Sequence, residues 1–198
     1  MALLVSPGIP PKTLQEVIAY AKANPGKLNY GSGGSGTAEH LVFELFKRRA
    51  GLDVQHVPYR GGAQVFTDLI GGQLQFFTTN ALAATGYVKA GQLRAAGVTG
   101  LARPTGLPEV PTFEEQGMKN FTASVWWGVV GPAGMPAAVT ARLNQIFNAA
   151  ISSAEMKARF ESLGAQPAGG TPESFAAFFA SERATWSQVI RDANIKVE

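Results

Sequence analysis

At 198 residues the chain is long enough for one ample domain or two small lobes sharing a boundary. Hydrophobic residues make up 45% and charged residues 16%, a core-forming composition that excludes a largely disordered protein, and a net charge of +3 leaves little for a role such as wrapping DNA. The absence of cysteine excludes disulfides, thiolate nucleophiles and cysteine-based zinc sites.

Residues 1–7 have neither a basic start nor a long apolar run, so they do not read as a signal peptide. No stretch approaches the roughly 20 apolar residues of a membrane span. Residues 2–5 read as a short buried strand, ended by Ser6, Pro7 and Gly8. Thr13 and Glu16 have capping-box spacing, and Leu14, Val17, Ile18 and Ala21 recur at helical spacing until Asn24, Pro25 and Gly26 stop the helix. Residues 27–30 are a predicted strand, residues 31–36 a glycine-rich loop. A helix follows from near Thr37 to near Gly51, with Leu41, Phe43, Leu45 and Phe46 as expected core residues.

Further strands are expected at 54–57, 74–77 and 93–98, with helices at 63–70 and 81–89 between them. Strands alternating with helices argue for a mostly parallel sheet covered on both faces. The prolines of 103–111 mark a surface connection, and Thr112 to Glu115 reads as a short capped helix ending at Gly117. Phe121 to Val130 is aromatic and β-branched, an extended crossing segment. Helices are then expected at about 136–151, 154–163 and 172–191. This shift in pattern divides the chain into an α/β lobe, 1–122, and a crossing strand with C-terminal helices, 123–198.

The strongest chemical feature is the loop Ser32, Gly33, Gly34, Ser35, Gly36 and Thr37, between a strand and a helix. The first turn of a helix has amides without intrahelical partners, and with the dipole these favour an anion. Glycines let the backbone approach a ligand, and the hydroxyls add donors. The competing reading is a tight turn with Thr37 as N-cap; that needs one hydroxyl, whereas the loop offers those of Ser32, Ser35 and Thr37. Gly31, Gly33 and Gly36 also match the dinucleotide fingerprint, which wants a carboxylate at the end of the next strand. Asp53 precedes that strand and Tyr59 and Arg60 end it, so a nicotinamide cofactor is disfavoured and none is expected.

His40 either faces a ligand or packs beside it, and with His56 makes a poor metal set. Glu39 and Asp68 read as solvated helix charges. Tyr59 and Arg60 follow a strand, where open α/β sheets carry ligands, and Arg60 could pair with a carboxylate; an exposed turn is the equal alternative. Thr78, Thr79 and Asn80 end the next strand on that edge, either as polar contacts or as a helix cap. Trp126 and Trp127 read as packing more readily than as a stacking pair, and Trp186, Phe178, Phe179 and Ile190 as core. No serine sits in a nucleophile elbow, so no enzyme is expected. Lys47, Arg48 and Arg49 suit a helix C-terminus, and without interleaved aromatics they imply no nucleic-acid partner.

Several runs in order along nearly the whole chain resemble one family: residues 27–37 with His40 and Leu41, 56–61, 67–73, 89–95, 107–112, Trp127 with Gly128, 132–134, and 170–173. They are similar to the Bug or TctC family, the extracytoplasmic solute receptors of tripartite tricarboxylate transporters. The resemblance implies a type II-like periplasmic-binding-protein architecture, a periplasmic location, a small carboxylate ligand, no chemistry, and membrane transporter subunits as partners. It implies that Ser32 to Thr37 form one jaw, with the roughly hundred residues of the other jaw and the leader missing here. Where the family often has Asp, this chain has Gln75 and Thr79; Thr79 is expected to favour simpler carboxylates. An uncovered apolar face would promote a homo-oligomer. The alternatives are a scaffold that has lost its ligand and, behind it, a dinucleotide enzyme.

Overall fold

The computed structural model describes residues 1–162 and 165–196. Its elements run β1 (Ala2–Val5), α1 (Leu14–Ala23), β2 (Asn29–Ser32), α2 (Ala38–Ala50), β3 (Gln55–Pro58), α3 (Gly62–Ile70), β4 (Phe76–Thr79), α4 (Ala81–Lys89), β5 (Arg94–Val98), α5 (Ala137–Ser152), α6 (Ala154–Ser162) and α7 (Pro172–Asp192). Residue 163, expected at the end of α6, lies outside the described residues. The chain divides into two compact units, residues 1–125 with 188–198, and residues 126–187.

The first unit holds a sheet of order β3-β2-β4-β1-β5. β2 pairs in parallel with β3 and β4, while β1 lies antiparallel between β4 and β5. Four strands therefore point one way and β1 runs against them. All four residues of β1 are fully buried, which is why Ala2 to Val5 shows no polar alternation.

Side chains alternate across the sheet and build two cores. On one face Leu4 and Phe77 pack with Val65, Phe66 and Leu69 of α3 and Ala84 of α4. On the other, Tyr30 stacks on Phe43 of α2 at 3.9 Å between centroids, and Phe43 continues to Phe76 and to Phe46, which meets Phe113. Helices α2 and α3 thus cover opposite faces. The buried face of α2 is His40, Val42, Phe43, Glu44 and Phe46; Leu41 and Leu45, expected in the core, are only half-buried. Tyr30 and its Glu44 partner draw that face one position round the helix.

Three strands both begin and end later than expected. β2 includes Gly31 and Ser32, which pair with Val57 and Pro58, so part of the predicted loop is sheet. β3 and β4 are shifted toward their C-terminal ends in the same way. Thr112 and Glu115 do form the reciprocal cap, amide to carboxylate at 2.6 Å and amide to hydroxyl at 3.0 Å, but on a turn and not on a helix. Phe121 to Val130 forms no strand; the amide of Ala123 is held by the carbonyl of Thr99.

In the second unit, Trp126 donates to Glu182 at 3.0 Å and meets Phe175, Phe178 and Phe179 edge-on. Phe178 and Phe179, expected as core, remain 41% and 48% exposed although both rings meet Trp126. Among the described residues no helix is long and apolar enough to cross a membrane.

Phe43 is fully buried between β2 and its helix neighbours, so Phe43→Ala should cost about 3–5 kcal/mol. Urea unfolding followed by far-UV circular dichroism measures this. A loss below about 1 kcal/mol would show that the aromatic column does not hold α2.

Candidate functional site

The parallel strands β2, β3 and β4 all end at one edge of the sheet. From β2 the chain crosses to β3 on one side, and from β3 it crosses back past β2 to β4 on the other. The loops after β2 and β4 therefore part at a switch point, the place where open α/β sheets take ligands. Hydrogen bonds tie the loops together. Tyr59 donates its amide to the carbonyl of Ser32 at 2.9 Å and Gly61 to that of Gly33 at 3.2 Å. Thr78 on β4 donates its hydroxyl to the carbonyl of Glu39 at 2.6 Å.

The loop between β2 and α2 is largely satisfied from within. The amide of Gly33 donates to Glu39 Oε2 at 2.6 Å, that of Gly34 to Ser32 Oγ at 3.2 Å, and that of Gly36 to His40 Nδ1 at 3.1 Å. Thr37 donates its amide to the carbonyl of Gly34 and caps α2, accepting from the His40 amide at 3.5 Å while its hydroxyl donates to the Gly34 carbonyl. Among the described residues, the amides of Ser35, Ala38 and Glu39 and the hydroxyl of Ser35 keep no protein partner. The donors left for an anion are thus those of Ser35 and the first turn of α2.

The glycines divide by task. A Cβ on Gly31 would stand 2.6 Å from both Leu74 and Val65, so that glycine lets α3 press onto β2. Gly36 has φ of 79°, a left-handed turn that favours glycine. The first glycine of the dinucleotide-like pattern therefore serves packing.

Beneath the loop lies a pair of imidazoles. His40, which is buried, stacks on His56 at 3.7 Å between centroids. His40 Nδ1 accepts from Gly36, so its proton sits on Nε2. His56 Nε2 lies 2.6 Å from Ser32 Oγ, which also lies 3.0 Å from the Gly34 carbonyl; a hydroxyl proton given to Gly34 makes His56 the donor. Next to them Tyr30 donates to Glu44 at 2.6 Å and Lys47 pairs with Glu44 at 2.6 Å. Burial, then the Glu44 contact, pushes the Tyr30 phenol far up.

Other expected site residues are more scattered in role. Ser32 is fully buried and its hydroxyl is engaged as above. Tyr59 turns its hydroxyl to Asp68 at 2.7 Å; burial first, then this bond, raises it to about 12. Asp68, expected as a solvated charge, also accepts from Gln64. Arg60 is exposed and makes no hydrogen bond or ion pair among the described residues. Thr79 is buried at the end of β4, and Asn80 caps α4, accepting from Leu82 at 2.9 Å. Glu39, expected as a solvated helix charge, instead holds the loop; an acid in the first turn after a glycine run was the available signal. A cleft lined by Glu44, Lys47, Arg48, Leu52 and Val189 lies at the opposite end of α2 and touches none of these residues.

Burial and then the neighbouring His40 and Lys47 lower His56 to about 4, and burial lowers His40 as well. Both rings are neutral in the fold. As pH falls below about 6.5 the unfolded chain takes up protons that the folded chain refuses, so stability declines until His56 itself titrates. Thermal melts should show Tm falling between pH 7 and pH 4.5, with a shallower fall in His56→Asn; equal slopes would rule out the imidazole pair as the cause.

A family description, Tripartite tricarboxylate transporter family receptor (TctC), matches residues 1–195. The chain is 37% identical over 180 residues to the UPF0065 protein in the tcbD-tcbE intergenic region of Pseudomonas sp. strain P51, covering 90% of this chain and 54% of that protein. It is 32% identical to Protein BugT of Bordetella pertussis, covering 100% of this chain and 61% of that protein. Among solved structures, R. palustris Rpa4515 with adipate superposes with a TM-score of 0.82 at 31% identity, covering 98% of this chain and 65% of the other. The chain therefore spans less than two thirds of the length of these relatives. Since the match runs along nearly all of its residues, the chain belongs to the tripartite tricarboxylate transporter receptor family, TctC.

Proposed function

We propose that this chain works in a periplasmic solute receptor that holds a small carboxylate and delivers it to membrane transporter subunits, with no chemistry performed. The observation that carries this reading is the set of open donors on Ser35, Ala38 and Glu39 at the start of α2, at the edge where the loops after β2, β3 and β4 meet. The adipate held by Rpa4515 supports a dicarboxylate-sized guest. In this reading Ser35 and Arg60 touch the ligand, with Thr79 and Asn80 at the neighbouring strand end. Ser32, Gly33, Gly34, Gly36, Thr37, His40 and Tyr59 set the shape of the loops. Residues 1–122 serve as one lobe of the receptor and residues 123–198 as the remainder of the other.

A second reading, a scaffold that has kept the fold and lost the ligand, is favoured by the amides of Gly33, Gly34, Gly36 and Thr37 being already paired. Calorimetry separates the two. Adipate or a shorter dicarboxylate should bind with measurable heat, and Arg60→Ala should weaken binding about tenfold by removing a charge-assisted contact. No heat and no thermal shift with any carboxylate would leave the scaffold reading in its place.

The second unit bears apolar side chains in water: Trp127 is 78% exposed and Val130 79%, with Ile146 and Phe147 also open. Such a surface favours self-association. The chain should form a homo-oligomer as its concentration rises, read by light scattering; a strict monomer at high concentration would contradict this.

A further inference from the structure

Glu39 stands at the second helical position of α2, where the helix dipole favours a carboxylate. Its backbone is fixed from β4 by Thr78. Its Oε2 takes the amide of Gly33, after β2, and its Oε1 lies 3.8 Å from where a Cβ on Gly62 would stand, at the start of α3. Among the described residues Oε1 accepts no hydrogen bond, and no lysine or arginine pairs with this carboxylate. The molecule thus presents an acceptor-only group, fixed in position and without a cation, in the same loop as the open amides of Ser35, Ala38 and Glu39.

We propose that Glu39 is the specificity-determining residue of this site, selecting zwitterionic ligands with a carboxylate at one end and an ammonium at the other over dicarboxylates. This rests on the receptor reading above. A carboxylate brought toward Gly33 finds that amide occupied and meets a like charge. An ammonium brought there meets a free oxygen and needs no existing bond to break. The other end of the same ligand still has the donors of Ser35, Ala38 and Glu39. Thr79 alone would favour simpler carboxylates; the carboxylate of Glu39, whose backbone carbonyl is held at the same strand end by Thr78, reverses that expectation.

The test compares ligands of equal length that differ at one end: succinate against 4-aminobutanoate, and adipate against 6-aminohexanoate. Calorimetry is run on the 198-residue chain and on Glu39→Gln, which keeps an oxygen for the Gly33 amide and removes the charge. Unchanged circular dichroism and melting establish that the variant is folded, and the preference within a pair is a ratio that a partly inactive sample does not alter. The native chain should prefer the amino acid in at least one pair by about tenfold or more, and Glu39→Gln should lose that factor, because attraction at this point is replaced by a neutral contact. A preference for the dicarboxylate in both pairs, or one that Glu39→Gln leaves unchanged, overturns the proposal while the receptor reading stands. No binding of any probe to either protein overturns both.

Discussion

The loop entering α2 has more backbone donors than a turn can leave unpaired, and the rest of the site follows from how they are satisfied. A buried amide without a partner costs on the order of 1–3 kcal/mol, so a run of glycines at a sheet edge folds stably only when acceptors are supplied. Here the acceptors are side chains close in sequence: Ser32 for Gly34, Glu39 for Gly33 and His40 for Gly36. Two of these come from the helix that the loop begins. The loop is therefore shaped before any guest arrives, and little ordering is left for the binding step. The same economy explains why the open donors are few and lie at Ser35 and the first turn of α2.

That local arrangement is held in place by the sheet. β1 runs against its neighbours between β4 and β5, and its four fully buried residues join the two halves of the sheet into one core. Tyr30 belongs to the same system: its ring rests on Phe43 and its hydroxyl reaches Glu44, which also holds Lys47. The carboxylate of Glu44 is buried at no prohibitive cost because both a phenol and an ammonium meet it. This fixes the rotation of α2 about its axis. That rotation decides that His40 lies under the loop and that Glu39 lies beside Gly33.

Much of this was legible in the sequence, and the parts that were not share a cause. Helix starts were visible because caps are local: Thr13 with Glu16, Thr37 and Asn80 all act on amides within three residues of themselves. The alternation of strands and helices gave the α/β class, and the matched runs gave the family. Strand ends were misplaced because pairing partners decide them. Gly31 and Ser32 look like loop, yet Val57 and Pro58 draw them into the sheet. The direction of β1 has no local signature at all. Glu39 and Asp68 read as solvated charges for the same reason, since the groups that hold them, Gly33 and Tyr59, are reached only once the chain has folded. Phe178 and Phe179 carry helical spacing, which tells which face they share but not whether anything covers it.

The energetics of the open donors place a bound on what this edge alone can do. An anion at a helix N-terminus gains about 0.3–1 kcal/mol at the surface and up to about 2 kcal/mol when partly buried. A millimolar ligand already requires about 4 kcal/mol and a micromolar one about 8 kcal/mol. The Ser35 hydroxyl and Arg60 can raise the total, since charge-assisted contacts are worth roughly twice a neutral one, but the guest would remain open to water on its far side. In the proposed receptor, exclusion of that water must come from a second surface facing this one. The edge described here supplies the open donors of Ser35 and the first turn of α2 and, beside them, the fixed carboxylate of Glu39, a geometry that meets unlike charges at two adjacent points.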